Sequence, residues 1–314
     1  MIRACVFDLD GTIINTEESL VRAVNNTLIK LGYPETDREH VRMFIGHGGR
    51  QLIKSAVSLY TSPDEAAVDD AFKKYKEVFA ECYTYGNTAY EGVTETLQEL
   101  KQRGIKLAVI SNKSQEGVDS CIHKVFGDLL FDVIAGEKPG IPLKPDPSGI
   151  LAVIDELGVR PEECLYVGDG ETDMKGGRAA GCVTVGVTWG FRTREVLEAY
   201  HPDYMIDSME DLIPLTPYVY VIDGKQMTDK DAFYAEIEKQ MTDASDFRMG
   251  HSLDAFSDVL GGGFGKHAPG EVFCVLWRNF GCSLESLGQD FVMKAASIML
   301  RNDAEYDCIL KIKD

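Results

Sequence analysis

The hydrophobic pattern changes character three times along the chain. Residues Ile2–Phe7 form a short apolar run broken only by Arg3 and predict a buried parallel strand. From Thr16 to Leu31 the apolar residues Leu20, Val24, Leu28 and Leu31 recur at helical spacing, and Gly32 ends them. Helical patterning continues through Asp37–Ile45, Gln51–Tyr60 and Pro63–Cys82; the last opens with Ser62-Pro63-Asp64-Glu65, a cap with proline in the first turn. No strand pattern stands out between residues 15 and 88, so the first strand is followed by an all-helical insertion. Strands and helices then alternate. Helices are predicted at Val93–Arg103, Gln115–Val125, Pro147–Leu157 and Met174–Ala180. Strands are predicted at Ile105–Ile110, Phe131–Ala135, Leu165–Val167 and Val183–Val187, with a weaker one at Tyr204–Ile206. This rhythm predicts an α/β fold with a parallel sheet covered on both faces.

Pro214 and Pro217 mark a composition break that reads as a linker. The pattern then restarts with a strand at Tyr218–Ile222, helices at Lys230–Met241 and Leu253–Leu260, and a Gly-rich stretch, 261–265. A strand at Glu271–Trp277, a helix at Leu287–Leu300 and a strand at Asp307–Ile312 complete a second, small α/β unit. The expected domains are a core of 1–14 and 88–215, a helical cap of 15–87, and a C-terminal domain of 216–314.

Composition narrows the function. With 314 residues, more than one domain is the prior. A net charge of −19 argues against direct nucleic-acid or anionic-membrane binding and suits a basic protein partner. No apolar run is long enough for a bilayer, and the N-terminus lacks a signal-peptide pattern. The eight cysteines are scattered, with no Cys-x-x-Cys pair, as expected of reduced thiols in a cytoplasmic protein.

The candidate chemistry sits at strand ends. Asp8 and Asp10 follow the first strand at spacing i, i+2, ahead of Gly11-Thr12. Turns at the carboxyl ends of parallel strands are where open α/β sheets place their ligands. Two carboxylates there repel unless a cation lies between them, and Mg²⁺ with oxygen ligands is the natural one. The pair alone is equally consistent with a helix cap. Three further stretches follow in order: Ser111-Asn112, Lys144-Pro145, and Gly168-Asp169 with Asp173.

Together these four stretches resemble the signature motifs of the haloacid-dehalogenase-type phosphohydrolases, over about residues 1–215. Glu91–Lys113 and Leu143–Gly190 resemble bacterial phosphoglycolate phosphatases in particular. The resemblance implies a Rossmann-like core with an inserted helical cap. It also implies a phosphatase of a small phosphorylated metabolite, with phosphoglycolate as first substrate and a pyrophosphatase or sugar phosphomutase as alternatives. Asp8 would be the nucleophile, and Asp10 the general acid and base. Ser111 and Lys144 would hold the phosphoryl oxygens, with Asn112 on the substrate. Asp8, the Asp10 carbonyl and Asp169 would bind Mg²⁺, supported by Asp173. The dehalogenase members lack the second aspartate, so Asp10 favours phosphoryl chemistry. In the cap, Gly46-His47-Gly48-Gly49-Arg50 would reach the site, where His47 or Arg50 could hold a substrate carboxylate; a plain Gly-rich helix connection is the other reading. Glu91 stands where relatives often carry proline.

The second unit resembles barstar, the inhibitor of the ribonuclease barnase. Val221-Ile222-Asp223-Gly224-Lys225-Gln226 and Gly250-His251-Ser252-Leu253-Asp254-Ala255 carry the likeness. It implies that Asp254 and Asp258, one helical turn apart, bind a basic protein or a ribonuclease. Ser257 and Arg248 replace aromatic residues of that family. Residues 218–314 hold sixteen acidic and ten basic residues, a net of −6.

Overall fold

The computed structural model describes residues 2–127, 130–242, 248–264, 266–300 and 307–314. Gly265, the last of the Gly-rich stretch, lies outside them. The chain forms two compact units, one up to Ile213 and one from Pro214.

In the first unit the strands are β1 (Ala4–Phe7), β4 (Lys106–Ser114), β5 (Val133–Glu137), β6 (Cys164–Gly168), β7 (Val183–Val187) and β8 (Tyr204–Ile206). They make one six-stranded sheet in the order β5-β4-β1-β6-β7-β8. Every pairing in it is parallel. β1 is central because it is apolar throughout: Ala4, Cys5, Val6 and Phe7 are all fully buried. A strand covered on both faces needs such a run. Burying a side chain the size of Phe7 stabilises by about 1.5–3 kcal/mol. The helices α5 (Val93–Gln102), α6 (Gln115–Phe126), α7 (Ser148–Leu157), α8 (Glu171–Ala179) and α9 (Arg194–Glu198) connect these strands.

Four helices, α1 (Glu17–Lys30), α2 (Arg38–Phe44), α3 (Gly49–Ser58) and α4 (Glu65–Ala80), form the insertion. They share their own apolar cluster, built on Leu20, Val24, Leu28, Val41, Leu52 and Ile53. A two-stranded antiparallel ladder of β2 (Ile14–Asn15) and β3 (Thr88–Ala89) closes its base, pairing Ile14 with Ala89 and Asn15 with Thr88. Strands of two residues leave no periodic signal, so the patterning missed them.

The second unit contains β9 (Tyr218–Asp223), β10 (Val272–Arg278) and β11 (Asp307–Lys313) in a parallel sheet ordered β11-β10-β9. Its helices are α10 (Lys230–Met241), α11 (Leu253–Leu260), α12 (Phe280–Leu287) and α13 (Gln289–Met299). Phe233, Phe256, Phe273 and Trp277 fill its core. No helix among the described residues is long and apolar enough to cross a membrane.

Some boundaries differ from the sequence reading. The patterning ended a strand at Ile110; β4 instead runs to Ser114, with a register shift between Ile110 and Ser114 against β5. Ser111-Asn112 is therefore irregular strand, not a turn, and burial of residues 111–113 explains why. α8 starts at Glu171, not Met174, because Asp173 accepts a hydrogen bond from the Gly170 N–H at 3.0 Å and closes the first turn. The helix α9 is too short, at five residues, for its periodicity to register in the sequence, and α12 was not read either.

Candidate active site

The carboxyl ends of β1, β4 and β6 meet at the middle of the sheet, and each delivers polar side chains there. Asp8 follows β1 and is 8% exposed, while Asp169 follows β6 and is 4% exposed. Between Asp8 and Asp173 of α8 lies the Lys144 ammonium, 2.6 Å from Asp8 Oδ1 and 2.8 Å from Asp173 Oδ1. Lys144 also donates to the Ile110 carbonyl at 3.1 Å. Asp173 Oδ1 further accepts from the Tyr166 hydroxyl at 3.3 Å. Asp169 accepts from Thr12 Oγ1 at 3.3 Å and from the Phe191 N–H at 2.6 Å.

Gly11 has a structural reason. Its φ is +89°, and a Cβ there would lie 2.3 Å from Asp169 Oδ2. Only glycine lets the β1 turn approach the second carboxylate so closely.

The electrostatics of this cluster are unbalanced. Burial raises the Asp8 carboxyl well above its usual range; Lys144 opposes that, while Asp173, Asp169 and Asp10 add to it. Burial and Asp173 push Asp169 up to about 7, against the Phe191 N–H, Arg192 and Thr12. Burial works to lower Lys144, but Asp173 and Asp8 outweigh it and hold the ammonium well above its ordinary value. One oxygen from each of Asp8, Asp169 and Asp173 can be chosen so that all three lie within 4.8 Å of one another. Lys144 contacts two of these three carboxylates, Asp8 and Asp173. The clustered hard oxygen donors fit a divalent cation such as Mg²⁺.

Asp10 is engaged elsewhere. Its Oδ1 lies 2.6 Å from Lys113 Nζ, a side chain only 3% exposed. Lys113 also sits 5.2 Å from the Phe79 ring centre of the cap. Burial works against the Lys113 ammonium, yet Asp10 and Cys121 raise it overall. Ser111 faces the same cavity, and its Oγ accepts the Lys113 N–H at 3.3 Å.

Two expected substrate contacts lie off the cavity. Arg50 Nη2 lies 2.7 Å from both Glu65 and Asp69 of α4, on the outer surface of the cap. His47 is exposed, its Nε2 3.7 Å from Glu171 Oε1. Neither side chain lines the cavity; Gly46, Gly48 and Gly49 do. The cause is local: α3 begins at Gly49, so Arg50 falls in its first turn, facing the carboxylates of α4. Asn112 lines the cavity, but its amide is spent on backbone. It donates to the Gly46 and Lys144 carbonyls, both at 2.9 Å, and accepts the Lys144 N–H at 2.8 Å. It therefore joins cap loop to lysine loop.

The sequence reading missed Lys113, Arg192 and the aromatic residues Phe72, Tyr75, Phe79 and Tyr83 that roof the cavity. The roof had a readable signal, since 72, 75, 79 and 83 share one face of a helix and its extension. The cavity encloses about 90 Å³. A single water needs roughly 10–15 Å³ of such space, so there is room for a small metabolite.

A parallel α/β sheet with buried aspartates and a lysine at its carboxyl edge, under a helical lid, defines a hydrolase of phosphate esters. The chain belongs to the haloacid dehalogenase-like hydrolases, whose family pattern it matches over residues 5–187. Residues 218–307 match the barstar (barnase inhibitor) family. Pyrophosphatase PpaX of Bacillus cereus is 35% identical over 214 residues, 68% of this chain and 96% of that protein. Phosphoglycolate phosphatase of Pectobacterium atrosepticum is 33% identical over 215 residues, 68% of this chain and 92% of that protein. Among solved structures, a predicted phosphoglycolate phosphatase from Haemophilus somnus superposes with a TM-score of 0.64 at 27% identity, covering 68% of this chain and 98% of that one. CbbY of Rhodobacter sphaeroides, solved with phosphate, gives 0.59 at 29% identity, covering 68% of this chain and 96% of that one. The first unit is thus a phosphatase of this family, similar to phosphoglycolate phosphatases and to pyrophosphatase PpaX.

Proposed function

We propose that the first unit hydrolyses a small phosphate monoester, with 2-phosphoglycolate the first substrate to test, through an aspartyl-phosphate on Asp8. The observation that carries this reading is the buried Asp8–Lys144–Asp173 cluster beside Asp169. A carboxylate attacks a phosphate ester only where positive charge offsets the repulsion. Asp8, Asp169 and the Asp10 carbonyl would hold Mg²⁺, with Asp173 in support, and when bound it would supply that charge and keep the carboxylates ionised.

The residues divide the chemistry between them. An Asp8 oxygen attacks phosphorus, and the bond from phosphorus to the leaving oxygen breaks. Asp10 delivers its proton to that leaving alkoxide. Water then attacks the phosphorus of the aspartyl-phosphate, and Asp10 takes the proton back. Asp8 is regenerated and inorganic phosphate leaves. Lys144 stays protonated and holds phosphoryl oxygens throughout, and the Ser111 hydroxyl donates to another. Lys113 anchors Asp10 beside the leaving group. The apolar roof from α4 keeps stray water out of the cavity.

The test is a panel of phosphate esters and pyrophosphate on the purified full chain, with Mg²⁺ and with excess chelator. Turnover of 2-phosphoglycolate with Mg²⁺ and none in chelator is the expected result. A preference for pyrophosphate replaces the substrate; full activity in chelator removes the metal scheme.

For the second unit we propose that α11 binds a basic protein, with a ribonuclease the first candidate. Asp254 and Asp258 are both exposed on one face of α11. Arg248, which departs from the barstar pattern, lies 2.8 Å from Glu238 Oε1 and is exposed. Binding of barnase-type ribonucleases to the full chain, measured at rising salt, tests this reading, because steering by exposed charge is screened.

A further inference from the structure

The cap is tied covalently to the core only at the β2/β3 ladder. Its loop of residues 45–49, which lines the cavity, lies far along the chain from that tie. Gly46 and Gly48, with φ of +108° and +83°, give this loop little stiffness of its own. Ile45 anchors one end of the loop in the cap's apolar cluster, and bonds from the core hold the rest over the cavity. Asn112 supplies one, to the Gly46 carbonyl at 2.9 Å.

His47 Nε2, 3.7 Å from Glu171 Oε1, adds a longer contact, and Arg192 supplies three more bonds. Its guanidinium donates to the Arg42 and Ile45 carbonyls, each at 2.7 Å, and to the Met43 carbonyl at 3.3 Å. These belong to the last turn of α2 and its cap; the Arg42 carbonyl also accepts the Ile45 N–H at 3.4 Å, and carbonyls at a helix end otherwise lack a helical partner. A cation there also suits the negative end of the helix. The remaining edge of the guanidinium, Nε, donates to Glu171 Oε2 at 3.0 Å. Glu171 is two residues from Asp169, so the clasp and the carboxylate cluster share one segment. The Arg192 side chain is only 13% exposed.

We propose that Arg192 is a positioning residue of the phosphatase. By capping α2 from the core, it holds the Gly46–Gly48 loop over the substrate cavity, with Glu171 orienting it. The kinetic part rests on the phosphatase reading above; the placement of the loop does not. The nucleophile and Lys144 sit on core elements, so loss of the clasp weakens substrate capture more than chemistry.

The test compares wild type, Arg192→Ala and Arg192→Lys as full chains. Amide exchange of residues 42–48 without substrate reports the loop directly. Arg192→Ala is expected to exchange there about tenfold faster, as befits several lost hydrogen bonds to a charged group. With Mg²⁺ and 2-phosphoglycolate or p-nitrophenyl phosphate, KM should rise roughly tenfold while kcat changes less than about threefold. Arg192→Lys should fall in between, since an ammonium cannot span the same carbonyls. Unchanged exchange in Arg192→Ala, or a fall in kcat with KM unmoved, overturns the proposal. Should Arg192→Ala fail to fold, Arg192→Lys decides, since it leaves Glu171 and its contact with His47 in place: faster exchange at 42–48 supports the clasp and unaltered exchange overturns it. A wild type that hydrolyses neither ester removes the phosphatase reading, and the exchange data still decide the clasp.

Discussion

Charge is arranged in opposite ways in the two units. In the first, Lys144 and Asp173 have side chains only 3% exposed, and each polar atom is aimed at another. In the second, Asp254 and Asp258 stand exposed on α11. Buried charges are costly, and are tolerated where paired and hydrogen-bonded; breaking one such pair is expensive. Exposed charges contribute little to folding and act on what approaches from outside. The first arrangement suits chemistry on a captured small molecule. The second suits recognition of a macromolecule. The same residue type, aspartate, occupies both settings, and only its surroundings differ.

The largest effect is expected at Asp8. Asp8→Asn should lower kcat by about a thousandfold or more with the fold intact, because a carboxamide cannot attack phosphorus. Steady-state phosphate release with Mg²⁺ checks it, and near-normal turnover would end the nucleophile assignment. Next comes the cation of the buried cluster. Lys144→Met leaves Asp8 and Asp173 without their partner and should cost about 3–5 kcal/mol in urea unfolding. A cost below about 1 kcal/mol would mean that the cluster is not held as described.

A smaller, pH-dependent effect follows from Asp169. Its carboxyl, raised to about 7 by burial and Asp173, binds a proton more readily folded than unfolded. The metal-free protein therefore loses stability as pH rises from about 4 to about 7. Mg²⁺ and protons compete for the same oxygens. At a hundredfold excess over its Kd, Mg²⁺ should add about 2.7 kcal/mol, or roughly 5–10 °C in Tm, at pH 8 and clearly less at pH 5. Equal shifts at the two pH values would contradict this linkage.

The smallest effect on folding is expected on α11. Asp254→Ala and Asp258→Ala should each change stability by no more than about 0.5 kcal/mol. Against a basic protein partner, the same changes should weaken binding by about 2–5 kcal/mol where the pair is central. Unfolding and titration calorimetry on the same samples separate the two quantities. A large loss of stability with no loss of binding would erase the contrast between the units.

Much of the molecule was legible before folding. The apolar run before Asp8 and the alternation after residue 88 carry the sheet, because strand burial and helix amphipathicity are written in local spacing. That spacing also put Asp8 and Asp169 at strand ends, and parallel sheets gather such ends. What local spacing does not encode is which distant group a flexible side chain will meet. Arg50 was an open candidate for the substrate and went to Glu65 and Asp69 on the cap surface. Lys113 read as one polar residue after Asn112 and was found buried against Asp10, 103 residues away. Arg192 carried no signal at all, since its carbonyl partners lie 147 to 150 residues earlier. By itself, then, the sequence determined most of the elements, their order and the strand ends that bear chemistry, because propensity and periodicity act within a few residues. The tertiary structure alone decided which lysine faces which aspartate and what holds the cap loop in place. Those pairings depend on how separately formed elements pack, and on the low dielectric their packing creates.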